Sequence, residues 1–159
     1  MSESAGAMAS GWKNLISSSG HSGSSPPLDA LRRKLTKGLE VRAEQTEARR
    51  GDEVRAVVVV TDTGNIGELE AGIVCRELYD ETVSSGENSS RCTLTNVEYE
   101  AWQALQCMEG EYAVTVTIPA HAPYSYAGDC LSFRWEIVAR GRKKLALDAQ
   151  ASQEVWVRP

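Results

Sequence analysis

Histidine is nearly missing from this chain of 159 residues: there are two, His21 and His121. That scarcity narrows the available chemistry. The two are too far apart for zinc-ligand spacing, and His21 belongs to a Ser/Gly-rich opening. Imidazole acid–base chemistry would rest on His121, with Tyr124 and Asp129 near it in sequence. A turn histidine without a catalytic task is the simpler reading. The serines are plentiful, yet no Gly-x-Ser-x-Gly elbow places one on a strained strand-to-helix turn. No glycine-rich loop leads into a helix to cradle phosphates. Asp62-Thr63-Gly64-Asn65 followed by Glu68 is the nearest approach to a calcium loop, but it lacks the ligand pattern and reads as a hairpin turn. The expectation is therefore a protein with no catalytic residues, no cofactor and no metal.

Long apolar runs are also lacking. The longest, Ala56–Val60, has the length of a strand, far short of the ~18 residues that a membrane-spanning helix needs. No apolar stretch follows Lys13 in the manner of a secretory signal. The expected location is cytoplasmic. Cysteine is present four times, as Cys75, Cys92, Cys107 and Cys130, but never as Cys-x-x-Cys. In a reducing compartment these are expected to be free thiols, buried or half-buried.

A net charge of −5 excludes nucleic acid as the main partner, since phosphate binding calls for a basic face. The acids concentrate in the middle. Residues 52–111 hold thirteen Asp/Glu against three arginines, a pattern of solvated sheet faces.

Two parts follow from the order of residues. Residues 1–37 form an expected flexible leader, rich in Ser and Gly and too poor in branched apolar groups to offset its ordering entropy. Within it, 28–37 sets Leu28, Leu31 and Leu35 at helical spacing among Arg32, Arg33, Lys34 and Lys37. That is a short basic amphipathic segment, expected to pack over the domain or to make weak contact with a membrane surface. From residue 38 onward the period is two. Leu39-x-Val41-x-Ala43, Val54 to Val60, Leu69 to Cys75, Tyr112 to Ile118, Leu131 to Ala139, and Val155 with Val157 all alternate as strands do. Residues 82–91 read as a surface loop. The stretch 92–107 is strand by context, although Tyr99–Leu105 has helical propensity. Seven to eight strands without a crossover helix specify an all-β, antiparallel, immunoglobulin-like sandwich over 38–159.

The last third adds a more specific signal. Ile118-Pro119 closes a strand; Ala122-Pro123-Tyr124-Ser125-Tyr126-Ala127-Gly128 makes a turn; Leu131-Ser132-Phe133-Arg134-Trp135-Glu136-Ile137-Val138-Ala139-Arg140 is the next strand. This order resembles the arrestin-like superfamily, the arrestin and sporulation-control protein type. Arg50-Gly51-Asp52-Glu53-Val54 is similar to that family's glycine-led turn into its second strand. The resemblance implies an arrestin-like β-sandwich with a scaffold or adaptor function. Members usually carry two such sandwiches, and this chain has room for one. No Pro-Pro-x-Tyr motif is present, so ligase recruitment does not carry over.

The candidate binding surface combines the aromatic turn, Pro123, Tyr124 and Tyr126, with the basic stretch Arg140, Arg142, Lys143 and Lys144, read as a neighbouring loop. The expected partner is a protein, engaged through edge-strand pairing. Homodimerisation as a structural β-sandwich is the alternative, and a metal-binding protein stands further behind.

Overall fold

The computed structural model describes residues 38–85, 88–143 and 148–159. The expected leader at 1–37, with its basic segment, and Lys144 lie outside the described residues. Nine strands follow in order: β1 (Leu39–Ala43), β2 (Glu47–Arg49), β3 (Glu53–Val60), β4 (Ile66–Ser85), β5 (Asn88–Leu105), β6 (Gly110–Thr117), β7 (Tyr126–Ala127), β8 (Leu131–Lys143) and β9 (Ala149–Arg158). Two of them, β2 and β7, are only three and two residues long. Among the described residues no helix is long and apolar enough to cross a membrane.

A three-stranded sheet in the order β1-β3-β6 faces a six-stranded one in the order β2-β9-β8-β4-β5, with β7 pairing β8. All pairings are antiparallel except β2 with β9. This is the antiparallel sandwich that the period-two pattern specifies. Val54, Ala56, Val58 and Val60 of β3 are each exposed by 2% or less, and they meet Ile73, Cys75, Trp135, Ile137 and Val155 in one core. Burying a valine of this kind contributes about 1.5–3 kcal/mol relative to leaving it in water. The alternate residues Val57 and Val59 are half-buried, as befits the central strand of the smaller sheet.

The entry into β3 is a closed turn. The Arg49 backbone N–H donates to the Asp52 carboxylate at 2.9 Å. Gly51 takes φ 87°, a left-handed conformation that costs glycine little. Its N–H donates to the Ile118 carbonyl at 2.7 Å. The chain therefore leaves β6 at Ile118-Pro119 beside the point where it enters β3, and Pro119 needs no ladder partner there.

The middle of the chain departs from expectation in one respect. Of the stretch 82–91, expected as a loop, residues 82–85 and 88–91 are strand: β4 runs to Ser85 and β5 starts at Asn88, with Ser85 paired to Asn88. Cross-strand pairing has overridden the turn-like composition, and Thr82 and Val83 suit a pleated surface. Residues 92–105 are strand, without helix. A bulge interrupts the hairpin between Cys75 and Arg76, where Tyr99 and Val97 are the successive partners and Glu98 is the extra residue.

Candidate functional site

Three surfaces carry side chains that are able to recognise a partner. The first is the aromatic turn. Trp135 is fully buried, and its indole Nε1–H donates to the Pro123 carbonyl at 3.0 Å, while the Tyr99 ring lies 5.9 Å from it. The Ser125 backbone N–H donates to the Val157 carbonyl at 2.9 Å, and the Val157 N–H returns a bond to Ser125 Oγ at 2.8 Å. These bonds fasten the turn to β8 and β9. Tyr124 is half-buried under the Arg50 guanidinium, 3.7 Å above its ring. Tyr126 pairs with Phe133 and remains 54% exposed.

The second surface holds the arginines. Arg140, Arg142 and Lys143 belong to β8 itself, which corrects the reading of this stretch as a loop. Arg140 is ion-paired to Glu70 and stacks on Trp102 at 3.9 Å; Arg142 reaches Glu70 at 3.2 Å. Further along, Arg76 pairs with Glu136. These groups form a lattice on the face of β4 and β8 that points away from the smaller sheet. Under it lie Val74 and Val138, each 1% exposed although neither points into the sandwich. The arginine stems and the Trp102 ring shield them while the charged ends reach water.

Strand geometry separates the two halves of the expected surface. Tyr126 sits against Phe133, and seven residues of β8 at about 3.3 Å each put Arg140 some 23 Å along the strand. The turn and the basic stretch do not form one patch.

The third surface was not visible in the sequence. β5 ends the larger sheet and β6 ends the smaller one, so two strand edges flank the same side of the sandwich. Between them opens a cleft of about 250 Å³, walled by Tyr99, Ala101, Trp102 and Gln103 of β5 and by Thr115, Val116 and Thr117 of β6, with Ala71 and Gly72 at its floor. Locating it needs the register of strands far apart in sequence, and no local pattern encodes that.

Among the described residues no three His, Cys, Asp or Glu side chains come together as a metal would require. All four cysteines are free. Burial pushes the Cys75 thiol up to about 12, with Glu98 adding to the effect, so its nucleophilic thiolate form is suppressed.

Comparison with known proteins agrees with this architecture. The class defined by the fold is the arrestin-like β-sandwich. Among solved structures the chain is similar to Spo0M, a sporulation control protein from Bacillus subtilis, with a TM-score of 0.50 and 15% identity over 76% of this chain. The match covers 49% of Spo0M, so this chain spans about half the length of that protein. No family model and no curated protein matches the chain.

Proposed function

We propose that this domain is a non-catalytic protein-binding module of scaffold or adaptor type, which takes an extended peptide segment along the cleft between β5 and β6. The observation that carries the reading is the coincidence of two unpaired strand edges with an opening between them. A strand edge presents backbone donors and acceptors in register, and an added strand satisfies them while alternate side chains enter pockets. Tyr99 supplies aromatic area and Gln103 an amide, since both alternate with Trp102 and share the face of Ala71 and Cys75, and the backbone of β6 from Thr115 to Thr117 forms the other wall. Exposed Tyr126 is proposed as a second contact, in line with the aromatic turn Pro123-Tyr124. The cations Arg140 and Arg142 act mainly within their own sheet, and Lys143 and Lys144 lie beyond them at the end of the basic stretch. A cytoplasmic setting fits four unpaired thiols.

Photo-crosslinking residues placed at Gln103 and Thr117 test the proposal in native extract, with Arg42 on β1 as the control position. The expected result is one shared adduct from both cleft positions and none from the control. Equal labelling from all three positions, or none from any, rejects the cleft as the binding site.

A further inference from the structure

We propose that a second copy of this chain pairs with it, antiparallel and across a two-fold axis, along the outer half of β5 from Asn88 to Val97. This surface lies beyond the cleft and is independent of it. Natural sheets usually protect a long edge with lysine, proline, a bulge or shortness. At the opposite edge of the larger sheet β2 is three residues long and covers Trp156–Arg158 of β9, while β1 approaches the rest of β9, with the Ala43 N–H donating to Gln153 Oε1 at 2.6 Å. The inner half of β5 follows that rule, through the Glu98 bulge and the acids Glu98 and Glu100. The outer half does not. Its sequence, Asn-Ser-Ser-Arg-Cys-Thr-Leu-Thr-Asn-Val, has no proline or glycine, includes Thr93, Thr95 and Val97, and carries a single charge.

The charge pattern selects the occupant. Isologous pairing places a segment opposite its own reverse, so any charge near the axis meets itself. A register centred on Cys92 or on Thr93 uses nearly the whole unprotected run. In both, Arg91 faces uncharged residues of the partner copy and avoids its own counterpart. A shift toward the inner half would instead bring Glu98 and Glu100 of the two copies together. Arg91 is held in place within its own chain, with Asp80 at 2.6 Å and the Asp129 carbonyl at 3.0 Å, so it leaves the edge open. On one face of the same ribbon, Tyr79, Leu94 and Leu131 are half-buried and stand apart from the core cluster. Pairing across the axis extends that apolar shelf into the second copy. Isologous pairing uses the same edge of both copies, so the assembly closes at two.

The contact is smaller than the ~1,600 Å² of a standard interface, so a dimer of micromolar strength is expected. Sedimentation of the full chain over a concentration series, with circular dichroism as a folding control, gives the test. The wild-type chain is expected to dimerise reversibly. Position 95 lies opposite or diagonal to the partner's Arg91 in both registers. Thr95→Lys is therefore expected to weaken association and Thr95→Glu to strengthen it, each by roughly threefold or more. The direction is diagnostic, since the overall charge of −5 would by itself favour the lysine variant. A wild-type chain that stays monomeric up to its solubility limit overturns the proposal. So does a Thr95→Lys variant that associates as tightly as Thr95→Glu or more tightly.

Discussion

The side chains that matter most to this fold do their work where the backbone comes close. Gly72 lies on β4 opposite Trp102, and a Cβ placed there would run into the Ala101 carbonyl and approach Trp102 Cα at 3.0 Å. Both are backbone atoms of β5, so relief requires strand movement and not a rotamer change. Gly72→Ala is expected to cost about 1–3 kcal/mol, against the small gain that removing a strand glycine usually brings. Urea denaturation of the two proteins measures it, and an unchanged midpoint would mean that the strands slide apart freely. The period-two alternation of Leu69 to Cys75 leaves Gly72 out of phase with buried Ala71 and Ile73, on the face opposite to theirs. The contact was illegible because it depends on how closely β5 packs, and one strand's own residues do not encode that. Val74 and Val138 teach the same lesson from the opposite side. They occupy outward positions of the alternation and are nonetheless buried, because arginines and a tryptophan from neighbouring strands cover them.

The element that sequence patterns described least well is the β4–β5 hairpin. Serine, glycine and asparagine near its tip are turn formers, and the strand pairing that overrides them is a property of two strands together. Beyond the last β8 partner, Leu131 opposite Tyr79, the hairpin is a two-stranded ribbon. Side chains reinforce it there: Thr93 Oγ1–H donates to the Asp80 carboxylate at 2.6 Å. That bond, with the Arg91 charge behind it, holds the Asp80 carboxyl below its ordinary value of 3.8. A carboxyl whose folded pKa is depressed binds protons more weakly when folded. Its contribution is thus complete above the ordinary carboxylate value and disappears as pH falls through the folded value. Thr93→Val is expected to raise the Asp80 pKa in an NMR titration. It should also lower stability at neutral pH, with the difference from wild type vanishing in strong acid. A difference of the same size at both extremes would assign the effect to packing.

For the molecule as a whole, the class of fold was readable because burial in a two-sheet sandwich writes period two into every strand that faces the core. The strands Leu39–Ala43, Val54–Val60 and Tyr112–Ile118 carry it cleanly, and Leu131–Ala139 carries it with the exception of Val138. The candidate site was not readable, since a cleft between two edges is defined by which strands end each sheet. Tyr126 and Arg140 were joined on the strength of sequence proximity, and the extended run of β8 from Phe133, the partner of Tyr126, to Arg140 sets them apart. Both sheets contribute to one core cluster, which favours cooperative unfolding. Cys75 and Trp135 report on it from within, each fully buried. Alkylation of Cys75 and the fluorescence change of Trp135 are expected to share one urea midpoint, while exposed Cys130 reacts already in the native protein. Distinct midpoints for the two probes would divide the sandwich into separately melting layers.

The parallel partnership of β2 with β9, the exception among these pairings, has a mechanical consequence. Glu47, Ala48 and Arg49 lie beside Trp156, Val157 and Arg158, close to the two ends of the described chain. Two parallel strands drawn from opposite ends slide along each other, so tension loads their cross-links lengthwise and together, where a hairpin would unzip rung by rung. The Glu47–Arg158 ion pair at 2.7 Å lies on this seam. Once β1 has been drawn from β3, a stretched domain would therefore meet a lengthwise-loaded resistance at this seam.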